Sequence, residues 1–194
     1  MNRLKPIFNA AVGSFTEAIR PNAQNAALIR SARAELNKIA TTRQYIGVHI
    51  RRGDRHAVSW KYQAGYVPIP QYAQAVQDTS LRLLAQIESP IAVYIASDSP
   101  SADAELVNAL PSHTRLFSLA RSQNRELQAL ASPNEYVQRE FDKLDLEERI
   151  NLTRGMVIDF AMLNGIWAWN DDIIPQATVC TIRFVERQSG LLLR

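Results

Sequence analysis

With a single cysteine, Cys180, in 194 residues, the chain has no pair from which to build an internal disulfide framework. It has no run of about 18 apolar residues either, so no segment is expected to span a bilayer. The amino end carries Pro6, Asn9, Glu17 and Arg20 and does not read as a signal peptide. Charge of one sign is also scarce. Twenty-two basic residues stand against 19 acidic ones, and the net +3 is too small an excess to point to nucleic acid. It still allows a local basic pocket for an anion. No acidic cluster resembles a Mg²⁺ site. What is present is a globular composition, 46% hydrophobic, in a length that suits one domain with a full core.

One stretch concentrates the chemistry: Tyr45-Ile46-Gly47-Val48-His49-Ile50-Arg51-Arg52-Gly53-Asp54-Arg55. Its first half is β-branched or aromatic with no polar alternation before His49, which predicts a parallel strand covered on both faces. The charge then arrives together, around a glycine that permits tight backbone geometry. In open α/β sheets ligands bind beyond the carboxyl ends of the strands. Two guanidinium forks there suit a phosphate or diphosphate. A period of two aims the His49 ring at the same crevice as Arg51. The plainer alternative is a solvated turn in which Asp54 pairs with its arginine neighbours.

Along the chain, residues 1–20 predict a helix or docking segment with Ile7, Phe8, Val12, Phe15 and Ile19 near helical spacing. Pro21-Asn22 breaks it. Residues 23–40 predict an amphipathic helix with Ala27, Leu28, Ala32, Leu36 and Ile39 inward and Arg30, Arg33 and Lys38 solvated. Residues 53–69 predict a polar loop whose Trp60, Tyr62 and Tyr66 either contact an acceptor or pack the loop down. After Pro68 and Pro70 a helix follows, with Tyr72, Val76, Leu81, Leu84 and Ile87 at apolar spacing. Residues 91–96 predict a second buried strand, and Ser99-Pro100 the cap and first position of a helix. Asp98 therefore stands at a strand's carboxyl end, as a ligand-site residue or as part of the cap. A short strand at 115–119, mixed helix and surface loop over 121–144, a long helix from Leu146 to Trp169 and a strand at 177–182 complete the chain. From Met156 to Leu163 every residue but Asp159 is apolar, so its carboxylate is expected in a buried segment. Burying an unpaired charge costs on the order of several kcal/mol, so Asp159 needs a donor. Arg154, five residues earlier, is at the wrong offset to be an ideal one, so a ligand fits better as the donor, with a structural network elsewhere in the fold as the alternative. Cys180 reads as a small core residue.

His49-Ile50-Arg51-Arg52-Gly53-Asp54-Arg55 resembles the His-x-Arg-Arg-x-Asp-Lys/Arg signature of α1,6-fucosyltransferases and their relatives, including protein O-fucosyltransferases. Two later stretches match the same families in order and spacing: 93–100 (Val-Tyr-Ile-Ala-Ser-Asp-Ser-Pro), and 153–159 (Thr-Arg-Gly-Met-Val-Ile-Asp) followed by Val179-Cys180-Thr181. The resemblance covers roughly residues 40–182. It implies an α/β, Rossmann-like parallel sheet with flanking helices, the donor-binding half of a GT-B-type glycosyltransferase. A helical segment over 1–40 would precede a domain over 41–194 that ends early. The implied reaction is inverting, metal-independent transfer of fucose from GDP-fucose to a glycan or glycoprotein acceptor, in the Golgi or secretory lumen. Family members enter that pathway through an amino-terminal anchor, so a partial chain is expected.

The resemblance gives Arg51 the grip on the phosphates and the stabilisation of charge as the glycosyl bond breaks, with Arg52 beside it as the second catalytic arginine. Arg52 and Asp54 would also brace the loop, and Arg55 takes the place of a frequent lysine. His49 and Asp159 would read the guanine, whose N1 and 2-amino hydrogens a carboxylate can accept. Tyr72, Asp98 and Thr181 would complete the substrate contacts. Two departures stand out. Residues 56–61 hold no carboxylate where α1,6-type enzymes carry a glutamate, and residues 183–194 replace the Ser-Ser-type turn and helix that hold the diphosphate. A non-catalytic nucleotide-sugar-binding remnant is therefore one alternative. A general anion- or nucleic-acid-binding module using the arginine loop is another.

Overall fold

The computed structural model describes residues 20–40, 45–53, 67–84 and 92–164, and the backbone alone of 179–182. In chain order the elements are α1 (Ala23–Ile39), β1 (Tyr45–Ile50), α2 (Ile69–Leu84), β2 (Ala92–Ser97), α3 (Pro100–Ala109) and β3 (Arg115–Phe117). A 3-10 turn (Leu119–Arg121), α4 (Arg125–Gln128), α5 (Gln138–Phe141), α6 (Leu146–Asn164) and β4 (Val179–Ile182) follow. The readings made for residues 1–19, for the aromatic loop with Trp60, Tyr62 and Tyr66, for the end of the long helix and for 183–194 lie outside the described residues.

The protein is of the α/β class. Four strands form one parallel sheet in the order β3-β2-β1-β4. Both central strands are buried on both sides, which is why their sequences show no polar alternation. Along β2, Ala92, Tyr94 and Ala96 face one layer, and Val93 and Ile95 the other. Helices α2 and α3 cover the Val93 side together with Ile46, Val48 and Ile50 of β1. Helices α1 and α6 cover the Tyr94 side. The chain thus keeps one face through β3 and changes face before β4, so the turning point of the strand order lies between β1 and β4. That change of face is the arrangement that opens a crevice beyond the strand ends.

Local signals explain most boundaries. Asn22 caps α1 by accepting from the Asn25 amide, and Ser99 caps α3 with Pro100 behind it, as the sequence suggested. Two carbonyls of α6 also accept from other elements: the Tyr45 hydroxyl donates to Met162 O, and Arg33 Nη2 to Ala161 O at 3.5 Å. Arg33 is thus not on the solvated side of α1, where its spacing had put it. It is drawn into the interface with α6, and burial lowers its pKa. Arg154 also joins these helices, donating to Gln24, Asn25 and Asn151. Helix α1, read as a segment ahead of the domain, is packed within the core.

Two apolar positions of α2 depart from their spacing. Leu81 is 68% and Leu84 46% exposed, because the buried face of this helix ends at Thr79. In α6, by contrast, Ile158, Ala161 and Met162 are fully buried. The helix approaches the chain at Gly155 closely enough that a Cβ there would overlap the Leu130 carbonyl oxygen. Gly155→Ala sets a helix-propensity gain of up to about 1 kcal/mol against a clash with backbone, which costs about 1–3 kcal/mol. The clash wins: urea unfolding is expected to show net destabilisation of about 1–2 kcal/mol. Equal or greater stability would mean that α6 sits farther from Leu130.

Candidate functional site

The carboxyl ends of β1 and β2 open into a cavity of about 460 Å³, within the size range of small-molecule sites. Alternation along the strands decides which side chains reach it. His49 and Arg51 continue the Tyr45 face of β1, while Ala96 and Asp98 continue the Tyr94 face of β2, and all four line the cavity. Helix α6 supplies the opposite wall through Leu152, Gly155, Met156, Asp159, Phe160 and Leu163. Segment 130–138 closes a third side with Leu130, Ser132, Tyr136 and Gln138.

Asp159 has the donor that its burial requires, and the donor is Tyr94. The hydroxyl of this fully buried tyrosine donates to Asp159 Oδ1 at 2.5 Å. Burial, followed by the neighbouring Asp159 charge, pushes the Tyr94 hydroxyl well above its ordinary pKa, so it remains a donor at any physiological pH. Burial also pushes the Asp159 carboxyl up, to about 7, against the lowering pull of the Tyr94 hydrogen bond. Near neutrality Asp159 is therefore divided between acid and carboxylate. An ionised carboxylate offers about four lone-pair sites, so one tyrosine leaves capacity for further donors from a ligand.

The arginine loop is fixed by Asp98. Its Oδ1 accepts from the Arg52 amide at 2.7 Å, and its backbone carbonyl accepts from the Tyr136 amide at 2.9 Å. Gly53 lies beneath that contact, where a Cβ would overlap the Tyr136 carbonyl oxygen and come within 2.8 Å of Asp98 Oδ2. Arg51 is held loosely, its Nε 4.0 Å from Asp98 Oδ2 with the side chain 48% exposed. Such a pair contributes little and yields readily to a stronger anion. Burial raises the Asp98 pKa, opposed by the Arg52 amide and the Arg51 guanidinium. Arg52 follows the other direction of the alternation. Its guanidinium makes a bidentate pair with Glu105 of α3, at 2.8 and 2.7 Å, and holds that carboxyl below its usual range.

Of the residues singled out in the sequence, His49, Arg51, Asp98 and Asp159 come together around one cavity. Arg52 and Tyr72 do not. Tyr72 is buried at 4% exposure among the side chains between α2 and the sheet, on the opposite face. It was expected to line the site, but its helix covers the wrong side. Thr181 pairs with Gly47 in the parallel register of β4 and β1. Asp54 and Arg55 lie outside the described residues. Sequence reasoning missed Tyr94, whose only sign was a large polar-tipped ring between two alanines in a buried strand. It also missed the wall at 130–138, which has no periodicity to mark it. Among the described residues no group of His, Cys, Asp and Glu is arranged to hold a metal, and no helix is long and apolar enough to cross a membrane.

No protein-family model matches this sequence, and no curated protein matches it.

The raised Asp159 pKa fixes a pH dependence. Between about pH 4 and pH 7 the folded protein retains a proton that the unfolded chain has released, so stability falls as pH rises through that window and levels off above it. Asp159→Asn removes this contribution. The melting temperature of the variant relative to wild type is expected to climb from pH 4 to pH 7.5. A constant difference across that range would contradict the protonation assigned to this carboxyl.

Proposed function

We propose that the cavity holds the guanosine diphosphate portion of a nucleotide sugar, GDP-fucose. On this reading the chain is the donor-binding half of a GT-B-type fucosyltransferase, acting in the Golgi or secretory lumen. Transfer to a hydroxyl of a glycan or protein would be inverting and would need no metal. One observation carries the proposal: an imidazole and a loosely held guanidinium from β1 share a cavity with the Asp159 carboxylate of α6.

Each group has a chemical role in that reading. Arg51, at the outer end of the strand, is a bidentate donor for a diphosphate and leaves little behind when it turns from Asp98. Asp159 in its ionised form accepts the N1 and 2-amino hydrogens of guanine, whereas adenine presents an acceptor at N1 and leaves the carboxylate unmatched. His49 lies alongside on the strand. Arg52 becomes a brace, tying the loop to α3 through Glu105.

The position of Arg52 also favours a second reading, a nucleotide-sugar binder that does not catalyse transfer. With this guanidinium committed to Glu105, charge on a departing diphosphate is met at the cavity by Arg51 among the described residues. Transfer of fucose to a panel of glycan and protein acceptors separates the two. Turnover supports the enzyme; tight GDP-fucose binding without turnover supports the remnant.

Calorimetry with GDP, ADP and an oligonucleotide tests the shared premise. GDP is expected to bind, ADP at least about tenfold more weakly, the difference of one or two lost hydrogen bonds to a charged group. A nucleic-acid or general anion module would instead bind the oligonucleotide with steep salt dependence and no base preference. Arg51→Ala is expected to abolish GDP binding, and full affinity in that variant would refute the role given to Arg51. Because guanine needs the ionised carboxylate, GDP affinity should fall roughly tenfold from pH 8 to pH 6. It should be nearly level over that range in Asp159→Asn.

A further inference from the structure

We propose that Met156 and Phe160 form a platform against which the purine ring of the bound nucleotide lies flat. This rests on the guanosine diphosphate reading and adds to it the side chains that cover the face of the base. Helix α6 is otherwise economical with apolar surface toward water in its second half: Ile158, Ala161 and Met162 are fully buried and Leu163 is 4% exposed. Met156 and Phe160 break that pattern at 49% and 43% exposed. Both line the cavity rather than the outer surface alone. They stand one helical turn apart, at i and i+4, so their side chains adjoin on one flank of the helix. Asp159 lies on the same wall beside them.

The arrangement divides the recognition of a base in two. A carboxylate meets the hydrogens at the ring edge, which fixes the identity of the base but exchanges one set of hydrogen bonds for those of water. Affinity for a planar aromatic group comes mainly from covering its face, and every base has a face that can stack. A phenylalanine ring supplies a flat partner and the unbranched thioether of methionine adapts to it. The Asn164 side chain donates to the Phe160 carbonyl at 2.7 Å, adding a contact to the turn from which the ring projects. Half-exposed apolar surface beside a polar group is the combination that a nucleobase satisfies with its edge and face together.

The test compares guanosine, GDP and inorganic pyrophosphate as ligands of wild type, Met156→Ala, Phe160→Ala and Phe160→Trp. Phe160→Ala is expected to weaken guanosine and GDP by the same factor, about 5- to 100-fold. Pyrophosphate should be unaffected, Met156→Ala should act in the same direction, and Phe160→Trp should keep or tighten binding of the base. Substitution of exposed side chains leaves folding nearly unchanged, and a thermal melt of each variant checks it. Wild-type affinity for guanosine in both alanine variants would overturn the platform. So would an equal loss of pyrophosphate binding. If wild type binds neither guanosine nor GDP, the nucleotide reading itself falls; if it binds both and the alanine variants match it, only the platform does.

Discussion

The hydrogen bond from Tyr94 to Asp159 is the contact on which the site depends. It crosses from the centre of the sheet to the helix that walls the cavity, and it holds a part-buried carboxylate on that wall. The same low-dielectric surroundings that make an unpaired charge expensive strengthen the single bond that pairs it. Tyr94 can extend to the helix because Ala92 and Ala96 flank it on the strand, and its ring is bracketed by Tyr45 and Phe117 at centroid distances of 6.4 and 5.9 Å. Sheet packing thus sets the position of the acid, and burial sets its proton affinity. A carboxyl poised near neutrality is a group whose charge a ligand can decide.

The arginine loop obeys a complementary constraint. Asp98 uses its carboxylate and its carbonyl to fasten two separate backbones, that of the arginine loop and that of segment 130–138, with Gly53 between them. The fixed backbone sends consecutive arginines to opposite faces of the sheet. One meets Glu105 in a bidentate pair, and the other stays loosely held at the cavity. Rigidity of the loop and availability of Arg51 are thus two results of the same arrangement. The nucleotide-sugar proposal uses both.

Much of the fold was legible because its signals are local. Uninterrupted apolar runs marked β1 and β2, Ser99-Pro100 marked the start of α3, the 3.6-residue spacing marked α1, and a long stretch with few breaks marked α6. The site was legible in part. His49 and Arg51 share a face by simple alternation, but the same rule sends Arg52 away, and chemical likeness between neighbouring arginines hid it. That Asp159 would meet the cavity depends on where α6 docks, which no local pattern records. Its partner Tyr94 lies 65 residues away in sequence, so a buried acid with no donor in its own helix looked as though it needed a ligand. The exposed Met156 and Phe160 were hidden in an apolar run for a related reason: a cavity wall and a core read alike. Tyr72 and Leu81 show the converse, since helical spacing identifies an apolar stripe without saying how far along the helix, or on which side of the sheet, it is covered.

The central claim is that Asp159 receives the edge of a guanine. It can be followed directly by the pH titration of the Asp159 side-chain carboxyl carbon in NMR spectra of selectively labelled protein, with and without saturating GDP. Alone, the carboxyl should titrate near 7. With GDP bound it should remain ionised to at least about one pH unit lower, as donors to the carboxylate favour its charged form. A titration midpoint that GDP leaves in place, while GDP is demonstrably bound, would contradict the account.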